Sequence, residues 1–181
     1  MKKMYSRAEM LAVWRELKGY APARADIDVS QRDGIDWDLG LGAEVDAWYG
    51  ALARTAPVWM LWPEDLAGRY VLPLPEDGGI TLSLPAEVVR VTCVRLSTWR
   101  CAVTAVCADG SREAMCQRHR YTRACIDSPV AVWHADGTLS LYPASGLDAL
   151  ERLECVTVRD GEYRLDTAAL STVMRPGPQV G

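Results

Sequence analysis

The most conspicuous absence from this chain of 181 residues is phenylalanine, although seven tryptophans and seven tyrosines are present. Nearly every large aromatic ring therefore carries an N–H or O–H group that needs a hydrogen-bond partner when the ring is buried. Histidine is scarce too, with only His119 and His134, and this restricts the acid–base and metal chemistry open to the chain. We expect both histidines to face solvent.

Sequence motifs that carry chemistry are also missing. The chain has no phosphate-binding glycine loop, no G-x-S-x-G, no H-E-x-x-H and no paired-cysteine metal motif. The acidic stretch at 26–38 fails as a calcium loop, because Gln31 and Trp37 stand where Gly and Glu are needed. A hydrolase using Cys116 and His119 would need a helix there, which the pattern does not predict. We therefore expect a non-enzymatic protein with no metal and no cofactor.

Hydrophobic runs in the sequence are short. The longest falls well below the roughly 20 apolar residues that a membrane-spanning helix takes. Charged residues interrupt the N-terminal segment, which lacks the apolar stretch of a signal peptide. We therefore expect a cytoplasmic protein with no membrane partner. In that compartment the six cysteines are expected to be reduced core thiols: Cys93, Cys101, Cys107, Cys116, Cys125 and Cys155.

Charge is segregated along the chain, although the net charge is only −4. Residues 1–25 carry six basic and two acidic side chains, residues 26–87 three and twelve, and residues 88–125 seven and two. Such blocks favour head-to-tail contacts between copies, and they are equally consistent with pairing inside one chain.

The N-terminal part has a clear helix signal. Ser6 and Glu9 form a capping box, and apolar residues then recur at helical spacing. This predicts an amphipathic helix over 7–18 with Trp14 on its buried side, ended by Gly19.

A long irregular acidic connection at 19–36 is predicted to lead into a second helix, which Pro57 limits. The glycines Gly40 and Gly42 disfavour helix, so the first part of this segment could be loop. One face of the second helix is predicted to be apolar: Leu41, Val45, Trp48, Tyr49 and Leu52.

From residue 69 onward the hydrophobic period changes to two, and Asp-Gly dipeptides supply turns between short apolar runs. This pattern predicts hairpins over 130–142 and 154–165, a strand over 99–107, and a bulge near Cys93. A short helix capped by an aspartate is predicted at 167–174.

These elements predict an α+β fold, with N-terminal helices packed beside an antiparallel β-sheet or sandwich. The predicted parts are a helical N-terminal part with an acidic connection at 1–68, an antiparallel β domain at 69–165, and a short helix with a tail at 166–181.

The most apolar run lies just after Pro57 and has two interpretations, a buried crossover or a contact for a protein partner. We predict a partner contact, with these residues as anchors: Val58, Trp59, Leu61 and Trp62. Three arginines in the second basic block are predicted to form its electrostatic rim: Arg118, Arg120 and Arg123. The same arginines could contact a DNA backbone. We regard that alternative as less favoured, because arginines at sheet edges usually serve solubility or protect against strand addition.

Two phrases in the β half resemble phage head–tail connector proteins of the adaptor or tail-tubular kind. The first is Leu84-Pro85-Ala86-Glu87 followed by Arg90-Val91, and the second runs from Pro129 through Gly137 to Leu139-Ser140-Leu141-Tyr142-Pro143. The resemblance covers about residues 84–146. It implies a structural protein of a virion or prophage that forms a ring with copies of itself or with other virion proteins, and it implies no catalytic residue.

A second hypothesis is a ligand-binding β module. In that case Trp99 or Trp133 would serve as a stacking platform for a sugar or another flat ligand.

Overall fold

The computed structural model describes residues 1–19, 37–119 and 121–173. Most of the acidic connection, Arg120 and the C-terminal tail lie outside these ranges. The chain has an α+β fold in which all but one of the described strand pairings are antiparallel. No helix in the described ranges is long and apolar enough to cross a membrane.

The chain divides into two compact units. The helical unit comprises Met1–Trp62 together with Val158–Gly181, and the β unit comprises Pro63–Thr157. The β unit therefore begins a few residues before the predicted boundary at 69. It also ends before the last strand, which belongs to the helical unit.

The described residues of the helical unit form two helices, two strands and two short 3-10 helices. Its elements are β1 (Lys2–Ser6), α1 (Arg7–Lys18), α2 (Trp37–Thr55), a 3-10 helix (Val58–Met60), β9 (Glu162–Asp166) and a second 3-10 helix (Thr167–Thr172). The last of these confirms the short capped helix near the C-terminus, because the Asp166 side chain accepts from the Ala168 N–H.

Helix α1 confirms the capping-box prediction. The Ser6 N–H donates to the Glu9 carboxylate at 2.8 Å, and the Glu9 N–H donates to Ser6 Oγ at 3.3 Å. Gly19 ends the helix with φ 73°, a left-handed conformation that a glycine adopts without steric cost. Met10 and Trp14 are buried, so the apolar stripe faces the core as expected.

Helix α2 begins at Trp37, so its early glycines do not form a loop. The Arg7 guanidinium lies against Gly42, with Nη2 2.5 Å from the position that a Cβ would occupy there. Arg7 in turn pairs with Asp46 at 3.4 Å. The predicted apolar face is confirmed in its central part, where Val45, Tyr49 and Leu52 are buried.

The pairing of β1 with β9 was not expected from the sequence. The two strands are antiparallel, with Lys2 opposite Asp166 and Ser6 opposite Glu162. The predicted hairpin over 154–165 is therefore wrong. The turn at Asp160 is present, with a β-bridge between Arg159 and Glu162 on either side of it. A turn reverses the chain but does not decide which strands pair, and β9 pairs with the N-terminal strand β1 instead of with β8.

We expect Tyr49→Phe to destabilise the helical unit. The Tyr49 hydroxyl accepts from the Arg164 N–H at 3.0 Å and donates to the Arg164 carbonyl at 3.2 Å. Burial raises the pKa of Tyr49, so the donor stays protonated. The substitution removes this partner from both backbone groups, which should cost about 1–3 kcal/mol in the free energy of unfolding, measured by urea denaturation. Tyr121→Phe, at a fully exposed ring, is the control; equal effects of the two changes would refute the interpretation.

The β unit is built from two sheets. Its elements are β2 (Glu64–Asp65), a 3-10 helix (Ala67–Arg69), β3 (Ile80–Ser83), β4 (Val88–Leu96), β5 (Cys107–Ala108), α3 (Arg112–Cys116), β6 (Val130–Trp133), β7 (Thr138–Tyr142) and β8 (Leu150–Thr157). One sheet has the order β2-β8-β4 and the other β3-β7-β6-β5, with β5 and β6 parallel. Apolar residues from both sheets share one core, among them Leu82, Val94, Leu139 and Leu153.

The hairpin over 130–142 is confirmed. Val130 lies opposite Tyr142, and Gly137 in the turn has φ 82°. The bulge near Cys93 is confirmed by a register shift between Val91 and Cys93.

The predicted strand over 99–107 is wrong. Only Cys107 and Ala108 pair with β6, while the stretch before them is irregular apart from one bridge between Val94 and Val103. Within this stretch Trp99 and Val103 are buried, whereas Cys101 is exposed. Two buried anchors four residues apart are enough to hold this segment on the core without a continuous strand.

Candidate functional site

The apolar run after Pro57 places three large side chains on the surface of the helical unit. Val58 is 42% exposed, Trp59 60% and Trp62 39%. We call these three residues the apolar patch. A tryptophan exposed to this extent leaves a large apolar ring in water, as is typical of residues that contact a partner.

Leu61 does not belong to this surface, which corrects its prediction as a partner anchor. The 3-10 helix at Val58–Met60 ends at Leu61 in an extended conformation, and Leu61 forms a β-bridge with Leu165. Its side chain is fully buried. The apolar run is therefore both a core segment and a surface feature, because the backbone changes direction within it.

A second feature is a cleft of about 310 Å³ in the β unit, which we call the basic cleft. It lies between α3 and the outer face of the four-stranded sheet, and α3 contacts β5 and β6. Successive strand residues point to opposite faces. Leu139 and Leu141 thus enter the core, while Val132, His134 and Tyr142 line the cleft.

The segment after α3 is held in place by its own polar groups. The buried Gln117 donates through its amide nitrogen to the Glu113 carbonyl and accepts from the Ala124 N–H, both at 2.9 Å. The Thr122 hydroxyl donates to the Cys116 carbonyl at 2.7 Å. These bonds hold the backbone next to Arg118 and next to Arg123 in a defined position.

Two of the three predicted rim arginines line this basic cleft. Nε of Arg123 donates to the Gln117 carbonyl at 2.9 Å, and its Nη1 lies 3.4 Å from the position that a Cβ on Gly78 would occupy. Arg118 lines the same cleft. Neither arginine forms an ion pair with any acidic residue in the part of the chain that the structure describes. Arg120 lies outside the described residues.

Polar contacts at both ring nitrogens hold His134 against the cleft. Its Nε2 lies 2.9 Å from Ser140 Oγ and its Nδ1 lies 3.3 Å from the Asp109 carboxylate. Ser140 Oγ is also 2.9 Å from Thr81 Oγ1. His134 is therefore half-buried rather than solvent-facing, whereas His119 is exposed as expected.

The order Ser–His–Asp is that of serine hydrolases, but the surroundings of the serine differ. Ser140 is 4% exposed and does not line the cleft. The Ser140 hydroxyl makes hydrogen bonds with Thr81 and with His134. It therefore orients the imidazole ring and does not face the cleft. The sequence contains the signal for this contact, because a hairpin that turns at Gly137 brings residues 134 and 140 close together.

Trp99, one of the two proposed stacking platforms, is in the core. Its ring is 1% exposed and its Nε1 donates to the Pro143 carbonyl at 2.7 Å. That part of the ligand-binding hypothesis is therefore wrong. Trp133 is half-buried against the core and lines a separate groove of about 440 Å³.

The cysteines are all free, and they divide by burial. Cys93 and Cys155 are buried, whereas Cys101 and Cys125 are exposed. The expectation of core thiols is therefore correct for two of these four, and Cys107 and Cys116 are intermediate. Burial raises the pKa of Cys155 to about 12, so this thiol remains protonated near neutral pH.

Within the described ranges, no group of three or more His, Cys, Asp or Glu side chains is placed to hold a metal ion. Comparison of the chain with models of protein families, with curated proteins and with solved structures found no match. Among the described residues, the apolar patch and the basic cleft are the surface features from which we infer a function.

Proposed function

We propose that this chain is a non-enzymatic structural subunit of a phage or prophage particle, a head–tail connector or adaptor that works through protein–protein contacts. The apolar patch is the observation that carries this proposal. The phrases at Leu84–Val91 and Pro129–Pro143 support it through their resemblance to connector proteins.

The patch has the chemistry of an interface centre. Trp59 and Trp62 offer wide rings with an N–H at one edge, and a few such aromatic anchors supply most of the binding energy of a protein interface. The buried Leu61 between them fixes the backbone on the core of the helical unit. The two rings are thus attached to a rigid base, which lowers the entropy lost on binding.

The partner that we propose for the patch is a second copy of the chain. Blocks of opposite charge alternate along the sequence, and such blocks suit a head-to-tail contact in which one surface meets a different surface of the neighbour. Repeated with closure, a head-to-tail contact gives a ring. The predicted rim arginines Arg118 and Arg123 line a cleft in the β unit, so the test below is directed at the apolar patch.

Trp59→Glu tests this assignment. We expect the wild-type chain to form assemblies heavier than its 20.0 kDa monomer at high protein concentration, measured by light scattering after gel filtration. Trp59→Glu should shift the population to monomer, because it places a charge at the centre of a contact that excludes water. The exposed position of Trp59 should leave the fold intact, which circular dichroism checks.

Val71→Glu is the matched control, because Val71 is an apolar residue 95% exposed outside the patch. It should leave the assembly unchanged. A wild-type chain that stays monomeric, or an assembly that Trp59→Glu leaves intact, would refute the proposed contact between copies.

A further inference from the structure

The basic cleft has features that a contact between copies does not need. Arg118 and Arg123 both line one concave site, and neither forms an ion pair with an acidic residue among the described residues. A guanidinium group is a planar donor suited to phosphate and carboxylate oxygens. Gln117 lies next to Arg118 and Ala124 lies next to Arg123, and the hydrogen bond between them fixes the backbone at both arginines before any ligand binds.

We propose that the basic cleft binds a small phosphate monoester of a polyhydroxylated ring, that is, a sugar phosphate or nucleoside monophosphate, with Arg118 and Arg123 holding the phosphate. A phosphate monoester carries about −1.5 to −2 charges at neutral pH. Two guanidinium groups match this charge, whereas a single carboxylate would leave one of them uncompensated.

The remaining lining of the cleft suits the rest of such a ligand. Tyr142 supplies a flat wall that packs over Gly79, where a Cβ would overlap the tyrosine ring. Met115 adds an exposed apolar contact. Asp77 lines the cleft as well, and its carboxylate can accept hydrogen bonds from ring hydroxyl groups.

Asp109 and His134 also line the cleft, and both are engaged with other groups of the protein. The Asp109 carboxylate lies 3.3 Å from Nδ1 of His134, and Nε2 of His134 is bonded to Ser140. Both ring nitrogens are therefore occupied within the protein. The volume of about 310 Å³ is at the lower end of small-molecule sites, which span roughly 300–1,000 Å³.

Isothermal titration calorimetry with four probes tests the proposal. Ribose 5-phosphate and AMP should bind, and ribose and adenosine, which lack the phosphate, should not bind measurably. Arg118→Ala should raise the Kd for the phosphorylated probes about tenfold or more, because it removes a charge-assisted hydrogen bond. Arg118→Lys should weaken binding less, because it keeps the charge and loses the planar donor pair.

Arg112→Ala is the matched control, because Arg112 is an exposed arginine on α3 that does not line the cleft. It should leave the Kd for AMP within about twofold, as expected for a surface charge outside the site. Arg123→Ala removes a structural hydrogen bond as well, so its fold is checked by circular dichroism and Arg118→Ala remains the deciding variant.

Three results would overturn the proposal: failure of both phosphorylated probes to bind, equal binding of adenosine and AMP, or equal losses in Arg118→Ala and Arg112→Ala. The last result, together with binding of a single-stranded oligonucleotide, would indicate a general nucleic-acid surface instead. Oligomer formation is measured separately, so the proposed contact through Trp59 and the proposed phosphate site stand or fall independently.

Discussion

Trp99→Ala is expected to lower the free energy of unfolding of the β unit by about 3–5 kcal/mol, the usual loss when a large buried ring is truncated. The Trp99 ring is 1% exposed and packs in the core that includes Leu96 and Val103. Its Nε1 donates to the Pro143 carbonyl, which would lose this partner. The substitution leaves both a cavity and an unsatisfied acceptor, so the two costs add in the same direction.

Denaturant unfolding followed by circular dichroism measures this loss. Trp99→Phe should cost less than Trp99→Ala, because it keeps most of the ring and removes only the N–H donor. Trp59→Ala, which truncates an exposed tryptophan, should change stability by no more than about 0.5 kcal/mol. If Trp99→Ala cost no more than Trp59→Ala, Trp99 would have to lie on the surface, and the stacking-platform hypothesis would return.

Leu61→Ala is expected to destabilise the helical unit by about 2–5 kcal/mol, as for other fully buried leucines. Leu61 is fully buried and bridges Leu165 on β9. Truncating it opens a cavity where the apolar run meets the strand pair β1–β9. Val58→Ala, in the same apolar run, should have a much smaller effect because Val58 is exposed.

The same denaturation measurement separates the two positions, and the assembly state provides a second readout. Leu61→Ala should lower stability, whereas Trp59→Glu should lower assembly with little change in stability. Similar stability losses for Leu61→Ala and Val58→Ala would contradict the division of this run into a buried and an exposed part.

The elements that were predicted correctly depend on neighbouring residues. Helix α1 has its start and end signals, Ser6 with Glu9 and Gly19, within the helix or next to it. The hairpin of β6 and β7 is closed by a turn whose Gly137 has the required positive φ. In both cases the decisive contacts lie within about a dozen residues, so the pattern carries the information.

The elements that were missed depend on distant partners. β1 pairs with β9 across almost the whole length of the chain, and nothing near Lys2–Ser6 indicates that partner. The segment at 99–107 alternates like a strand, yet it pairs only through a single bridge at Val103 and at its last residue, Cys107. Alternation records which side chains prefer the core, but pairing requires a neighbouring strand edge.

The candidate sites divide in the same way. The sequence predicts Trp59, Trp62, Arg118 and Arg123 as surface contacts. The structure adds that the apolar patch belongs to the helical unit and the basic cleft to the β unit. The link between His134 and Asp109 also escaped sequence analysis, since β5 and β6 must first pair in parallel to bring these residues together.

By itself, the sequence determined the α+β class, the capped first helix, the hairpin at 130–142 and the apolar run after Pro57. Only the tertiary structure decided that Leu61 is buried while Trp59 is exposed, and that Arg118 and Arg123 line a cleft. The physical reason is that residue type sets the preference of a side chain for water or core. Which side chains obtain that environment depends on backbone direction and on partners far along the chain.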